Sequence, residues 1–361
     1  MKIKLFKLLL FKRFSEYYVL MKIENEVKLD FSDVLIRPKR SSLKSRSDIN
    51  LIRKIHFPIS DQTWEGIPII AANMDTIGTY EVYKVLSKFQ MITAFHKFYS
   101  PEDYNNMKGL DPNYFMVSTG ISNNDLERLK EILSLITVKF ICIDIANGYL
   151  KDLVLFCQKV RECYPNLIII AGNVVSRELT EELIQVGLVD VVKVGIGPGS
   201  ACITRSQTGV GMPQLSAIDE CADSAHGVKG FIIGDGGITC PGDVAKGFGA
   251  GADFIMIGGQ FGGHDENPGD LIQENGIKYK LFYGMSSETA MNTHYGKMAN
   301  YRSSEGRTLK IKYKGSLEKT IQDYLGGLRS TCTYINASSL KNIPKCCSFL
   351  KVNRQLNTVF L

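Results

Sequence analysis

The sequence predicts an α/β fold, a single-domain (β/α)8 TIM barrel, and three observations carry the prediction. Eight apolar runs of strand length recur along the chain, helix-period segments separate most of them, and glycine or polar residues end nearly every run. The runs are 68–75 (PIIAANMD), 91–97 (MITAFHK), 114–121 (YFMVSTGI), 140–146 (FICIDIA), 167–174 (LIIIAGNV), 191–196 (VVKVGI), 231–236 (FIIGDG) and 254–259 (FIMIGG). They begin 23, 23, 26, 27, 24, 40 and 23 residues apart. Strands that are apolar throughout belong to parallel sheets buried on both faces. An open doubly wound sheet is the structural alternative, but eight units with polar tips suit a closed ring better.

The elements follow in order. Residues 1–20, MKIKLFKLLLFKRFSEYYVL, hold five basic residues against one acid, and lysines cut their apolar run. No small-residue cleavage site follows, so a secretory signal is not expected, and an organelle-targeting segment is short of Arg and Ser. Met21 opens MKIENEVKLDFSDVL, which reads as an ordinary start. Residues 1–20 are therefore set apart as an N-terminal extension, first of all an upstream start-site artefact, and 21–361 form the barrel domain. Pro38 and the charge around it make 33–46 a loop or short strand. The single tryptophan, Trp64, falls in a turn-like stretch, DQTWEG. Helix-period segments such as 81–86 and 181–186 then alternate with the runs, and an amphipathic helix around 317–328 follows the eighth.

Composition narrows the function. A chain of 361 residues with 44% hydrophobic and 22% charged residues is ordinary for a soluble globular protein. No stretch of about 18 uninterrupted apolar residues is present, so no membrane span is expected. The nine cysteines are scattered without paired metal spacing, as in a reduced, cytoplasmic protein. The net charge of +6 is concentrated in the first twenty residues, which argues against a nucleic-acid-binding face.

Four constellations carry chemistry. The 40-residue interval after the sixth run holds GIGPGSACITR, in which glycines let the backbone approach a flat ligand and Cys202 is a candidate nucleophile. Thr204 is its proton handler, and the irregular turn of Gly197, Gly199 and Cys202 has a shape that can hold a monovalent cation. Glycine pairs after the seventh and eighth runs, Gly236-Gly237 and Gly258-Gly259, mark a phosphate site, with Asp235 placed for a ribose diol. A late segment, 283–288 and 301–307, is small and polar like a flexible flap and carries Glu305, a candidate acid or base. Polar strand tips at Asn73-Met74-Asp75, His96-Lys97, Asp144-Ile145-Ala146 and Gly172-Asn173 point to one ligand-binding rim.

These residues match a family. GPGSACITR, GDGG, GMSSE, IIAANMDT, the His96-Lys97 pair, CIDIANGY and AGNVV together resemble guanosine monophosphate (GMP) reductase, within the inosine monophosphate (IMP) dehydrogenase/GMP reductase superfamily. DVLIRPKRSSLKSRSD, YRSSEGRT and LGGLRSTCTYINA are more particular to the reductase. The short intervals after the second and third runs leave no room for the paired regulatory (CBS) modules that dehydrogenases usually carry. The flap reads Tyr301-Arg302 where a dehydrogenase has an Arg-Tyr pair that activates water.

The resemblance implies an NADPH-dependent oxidoreductase of purine salvage that converts GMP to IMP and ammonia through a covalent Cys202 adduct at purine carbon 2. It implies Cys202, Thr204 and Glu305 as catalytic residues. Nucleotide contacts would come from Asp235, Gly236, Gly237, Gly258, Gly259, Gly284, Met285 and Ser286, joined by Arg302, Ser303, Ser304 and Gly306. The cofactor side would be lined by Ser45, Arg46, Lys97, Asp144, Ile145, Ala146, Ile196, Gly197, Met285, Tyr301 and Arg302. Ser330, Thr331, Cys332 and Thr333 would reach the cofactor of a neighbouring subunit in a homotetramer. Potassium would lie among Gly197, Gly199, Cys202 and Arg205. Met212, Gly234, Ala201 and Ile203 depart from the family's usual residues without removing a chemical group. Alternatives are an IMP dehydrogenase-type enzyme without regulatory modules, or a nucleotide-binding barrel without activity.

Overall fold

The computed structural model describes residues 23–296 and 303–353. The extension 1–20 and two flap residues, Tyr301 and Arg302, lie outside the described residues. Each of the eight apolar runs supplies one strand of a closed barrel: β1 (Ile69–Ala71), β2 (Ile92–Phe95), β3 (Phe115–Thr119), β4 (Phe140–Asp144), β5 (Ile168–Val174), β6 (Val191–Val194), β7 (Phe231–Asp235) and β8 (Phe254–Ile257). Neighbours pair in parallel, and β8 returns to β1 with Ile255 opposite Ile69 and Ile257 opposite Ala71. The fold is a (β/α)8 barrel.

The absence of alternation in the strands follows from burial on both sides. Ile70, Ile92, Cys142, Ile170, Val191, Ile233 and Met256 point into the barrel. Ile69, Val117, Ile141, Ile169, Val192, Ile232 and Ile255 point outward, into the layer under the helices. A helix follows each strand: α1 (Tyr80–Leu86), α2 (Pro101–Asn106), α3 (Asn123–Leu135), α4 (Lys151–Cys163), α5 (Arg177–Gln185), α6 (Gln214–Gly227), α7 (Pro241–Gly249) and α8 (Leu317–Ile335). Local signals set several starts. Ser100 with Asp103 and Ser122 with Asp125 form reciprocal capping boxes at α2 and α3, and α7 opens on Pro241. No helix among the described residues is long and apolar enough to cross a membrane.

Trp64 corrects the turn reading. It sits in the second strand of an antiparallel hairpin, 53–57 with 62–66, and the turn ends at Asp61. Its ring lies 5.3 Å from Phe254 and 6.5 Å from Phe140, and Phe57 lies 5.2 Å from Phe231. Those three phenylalanines are the first residues of β8, β4 and β7. The hairpin therefore seals the amino-terminal mouth of the barrel with aromatic rings, and the indole N–H donates to the carbonyl of Asn113 at 2.8 Å. Ligands are left the other mouth.

The lead-in is a short strand, 34–36, paired antiparallel with 349–351 near the end of the chain. The flap is more built than its small, polar residues suggest. It rises from a three-stranded antiparallel sheet, 272–274, 277–283 and 308–312, and carries a helix over 288–295.

Candidate active site

A cavity of about 680 Å³ opens at the carboxyl ends of the strands. That volume lies in the range of ligand-binding clefts. Its floor is charged. Lys193, the inward residue of β6 two positions above Val191, donates to Asp144 at 2.8 Å and Asn173 at 2.9 Å and forms an ion pair with Asp235 at 2.6 Å. Burial alone would lower the lysine pKa, but Asp144 and then Asp235 outweigh it, and the net shift is upward. Burial pushes the Asp144 carboxyl up, and Lys193 pulls it further down, below the usual carboxylate value.

The cysteine loop forms one wall. The Cys202 thiol lies 3.2 Å from the Thr204 hydroxyl, which donates to the Glu305 carboxylate at 2.7 Å. Glu305 is 101 residues further along the chain, and backbone pairing brings it there. Ile203 N–H donates to the Glu305 carbonyl at 2.8 Å, Arg307 N–H to the Ala201 carbonyl at 2.9 Å, and Cys202 bridges Gly306. The flap thus adds an extended segment alongside the loop. Gly306 is required by this closeness, since a Cβ there would stand 2.7 Å from the backbone nitrogen of Ser287. The result is a thiol, a hydroxyl and a carboxylate in hydrogen-bonded series at the edge of the cavity.

Beside the cysteine loop lie the glycine turns, where a Cβ on Gly236 would stand 3.0 Å from Pro198 and one on Gly259 2.5 Å from Ser200. Gly236, at φ 93°, follows Asp235 with a backbone that other residues rarely adopt. Gly237, Gly258 and Gly259 also line the cavity, as do Gly284, Met285 and Ser286 of the flap. Turns of this kind expose backbone N–H groups to an anion. The third wall holds Lys97, Phe98, Asp144, Ile145 and Ala146.

Residues 28–356 match the family model described as the IMP dehydrogenase / GMP reductase domain. The chain belongs to the IMP dehydrogenase/GMP reductase family. It is 55% identical over 342 residues to human GMP reductase 2, covering 94% of this chain and 98% of that protein. It is 57% identical over 343 residues to mouse GMP reductase 1, covering 94% and 99%. A GMP reductase of Shigella boydii serotype 18 is 55% identical over 345 residues, again covering 94% and 99%.

Within this family fold, most of the expected site residues converge. Cys202, Thr204, Glu305, Asp235, the four glycines after β7 and β8, Gly284, Met285, Ser286, Gly306, Lys97, Asp144, Ile145, Ala146, Ile196, Gly197 and Gly199 all line the one cavity. Ser303 and Ser304 do not; Ser303 bonds Gln207 and Ser304 bonds the Gly306 carbonyl, so they brace the flap from behind. The Arg205 side chain is committed to Asp30 at 3.0 Å and to the Met212 carbonyl. Among the described residues no cluster of three or more His, Cys, Asp or Glu side chains is placed to hold a metal.

Two expected groups lie elsewhere. Ser45 caps a helical turn, 46–48, and that turn packs on α8. Ser330, Thr331 and Thr333 are half-buried on α8, which packs outside the barrel against α7 and α1. None of these, nor Arg46, lines the cavity of its own chain. Cys332 faces inward from α8 and is fully buried, and burial pushes its thiol up to about 11.

The structure also adds residues that the sequence reading left out. Lys193 is the clearest, because a lysine at an inward register position of an apolar strand must find carboxylates. Phe98 and Met291 line the cavity, and so does Met74, which together with Asp75 was already read as a strand tip of the rim. Asp75 holds the flap: it accepts from Tyr283 OH at 2.9 Å and pairs with His294 at 2.6 Å, and the His294 ring stacks on Phe98 at 3.5 Å between centroids.

His96 yields a pH prediction. Burial lowers its pKa to about 4, opposed by attraction to Asp75 and reinforced by repulsion from His294 and Arg128. Its ring stacks on Tyr99 at 4.0 Å. The folded state holds His96 neutral, so the stabilisation is full above about pH 6.5 and is lost as pH falls toward 4. The loss is up to about 3 kcal/mol. Urea unfolding between pH 7 and 4 is expected to show a steeper acid slope in the wild type than in His96→Phe; equal slopes would contradict this.

Proposed function

We propose that this chain is a GMP reductase, converting GMP to IMP and ammonia with NADPH as the hydride donor, in purine nucleotide interconversion and salvage. The observation that carries this reading is the series Cys202–Thr204–Glu305, which lines the same cavity as the glycine turns after β7 and β8. Family membership and the full-length likeness to reductases support it.

In this reading the phosphate rests on the turns of Gly236-Gly237 and Gly258-Gly259, and Asp235 accepts from the ribose hydroxyls. Met285, Ser286 and Gly306 cover the base, Arg302 joins them from the flap, and Ser303 and Ser304 act on the nucleotide through the flap they brace. The Cys202 thiolate forms a bond to purine carbon 2. Glu305, protonated from solvent, passes that proton through Thr204 to the 2-amino group, which leaves as ammonia as the carbon–nitrogen bond breaks. Reduced nicotinamide, when bound, supplies a hydride to the same carbon. The carbon–sulfur bond then breaks, returning the thiolate and releasing IMP. Lys97, Phe98, Asp144, Ile145, Ala146, Ile196 and Gly197 fit the nicotinamide end, presenting a cation, an aromatic face and a carboxylate on one wall.

Because Ser45, Arg46, Ser330, Thr331 and Thr333 lie outside this wall, a role at a cofactor places them at a neighbouring subunit's site, as in a homotetramer. Potassium belongs to the same proposal. With the Arg205 guanidinium paired to Asp30, backbone carbonyls of Gly197, Gly199, Cys202 and Arg205, rather than that side chain, would hold a monovalent cation.

Product analysis tests the reading. GMP and NADPH are incubated with the protein, and nucleotides and ammonia are quantified. IMP and ammonia in equal amounts, matching NADPH consumed, are expected. Xanthosine monophosphate or unchanged GMP would overturn it.

A further inference from the structure

The ammonium of Lys193 donates to Asp144 and Asn173 and pairs ionically with the Asp235 carboxylate, all three oxygens within 2.9 Å. Its side chain is 5% exposed, whereas those of Asp144 and Asp235 are 29% and 19% exposed. The cation therefore lies behind the two carboxylates, and the carboxylates face the cavity. Space for the lysine is made by Gly172 on β5, where a Cβ would stand 2.7 Å from the Lys193 Cβ.

The two carboxylates face different halves of the cavity. Asp235 ends β7 beside the glycine turns, and Asp144 ends β4 beside Ile145 and Ala146. Asn173 stiffens the link. Its amide nitrogen donates to Asp235 at 2.9 Å and to the Gly195 carbonyl at 2.8 Å, at the entry to the cysteine loop. Neither carboxylate can move without changing the field on the other through the shared cation.

We propose that Lys193 is a positioning residue that couples the two ligand sites: it presents Asp235 to the ribose of the purine nucleotide and Asp144 to the cofactor, so that seating one ligand sets the carboxylate that meets the other. The inference rests on the function proposed above. It goes beyond that function by assigning the coupling to one residue buried behind both carboxylates.

The test is GMP binding by calorimetry, with and without saturating NADP, in the wild type, Lys193→Met and Lys193→Met/Asp144→Asn. In Lys193→Met two adjacent carboxylates lose their shared cation, and GMP affinity is expected to fall 10- to 100-fold, with the effect of NADP on it abolished. Removing one carboxylate charge relieves that repulsion, so the double variant is expected to recover GMP binding to within about fivefold of the wild type. A merely structural lysine predicts the opposite, because the double variant loses still more of the network. No recovery, or Lys193→Met binding GMP as the wild type does, overturns the inference and leaves the proposed function standing. A folded wild type that binds no purine nucleotide overturns both. If Lys193→Met does not fold, Asp144→Asn alone decides: GMP affinity measured without cofactor falls at least threefold if the sites are coupled, and unchanged affinity overturns the coupling.

Discussion

Replacing Cys202 by alanine is expected to abolish GMP turnover, with a loss on the order of 10,000-fold or more, the scale seen when a nucleophile is removed. The sulfur is the only group in the Cys202–Thr204–Glu305 series that can form a bond to purine carbon 2. Neither Thr204 nor Glu305 substitutes for it, since a threonine hydroxyl is a weak nucleophile and the carboxylate is tied to that hydroxyl at 2.7 Å. The loop around position 202 is held by backbone hydrogen bonds from Cys202 to Gly199, Ile203 to Glu305 and Arg307 to Ala201, none of which uses the thiol. Cys202→Ala should therefore fold normally and bind GMP within a few-fold of the wild type. Stopped turnover with intact binding is the expected pair of results. Turnover within tenfold of the wild type would remove the covalent step from the mechanism.

Glu305→Gln is expected to slow GMP turnover by roughly 100- to 10,000-fold, the usual range for losing a general acid. The glutamine keeps the size of the side chain and an acceptor for Thr204, but it cannot deliver the proton that the departing amine needs. The reverse half-reaction separates this role from a general loss of activity. IMP and NADP without ammonia would form the Cys202 adduct and one equivalent of NADPH per site, then stop. That burst involves no amine, so it is expected to survive in Glu305→Gln and to vanish in Cys202→Ala. If Glu305→Gln loses the burst as completely as the steady-state rate, Glu305 acts on the hydride step or on the flap, and its assignment to the leaving amine is wrong.

Much of this molecule was legible in the sequence, for physical reasons that differ from element to element. The barrel strands announced themselves because strands buried on both faces are almost continuously apolar up to their tips. The catalytic series was legible in part: Cys202 and Thr204 share a loop, whereas the contact with Glu305 depends on backbone pairing between segments a hundred residues apart, and only the family resemblance brought it in. Trp64 was misread because DQTWEG looks like a turn, while the structure puts the turn just before it and uses the ring to plug the barrel. The flap sheet was missed because 277–283 alternates exposed and buried residues on a surface sheet, unlike the apolar runs of the barrel. Ser45, Arg46 and the 330–333 segment were grouped with the cofactor side, yet no local pattern tells which side of the barrel wall a segment will occupy. Lys193 was passed over as part of a strand, although its inward register was the signal.

The central claim is that this cysteine loop reduces GMP rather than oxidising IMP. Absorbance at 340 nm tests it directly, with purified protein given GMP and NADPH in one cell and IMP and NAD in another. The account predicts NADPH loss with GMP, no sustained NADH formation with IMP, and neither change in Cys202→Ala. Sustained NADH formation from IMP, with NADPH stable in the presence of GMP, would make the protein a dehydrogenase without regulatory modules and would contradict the account.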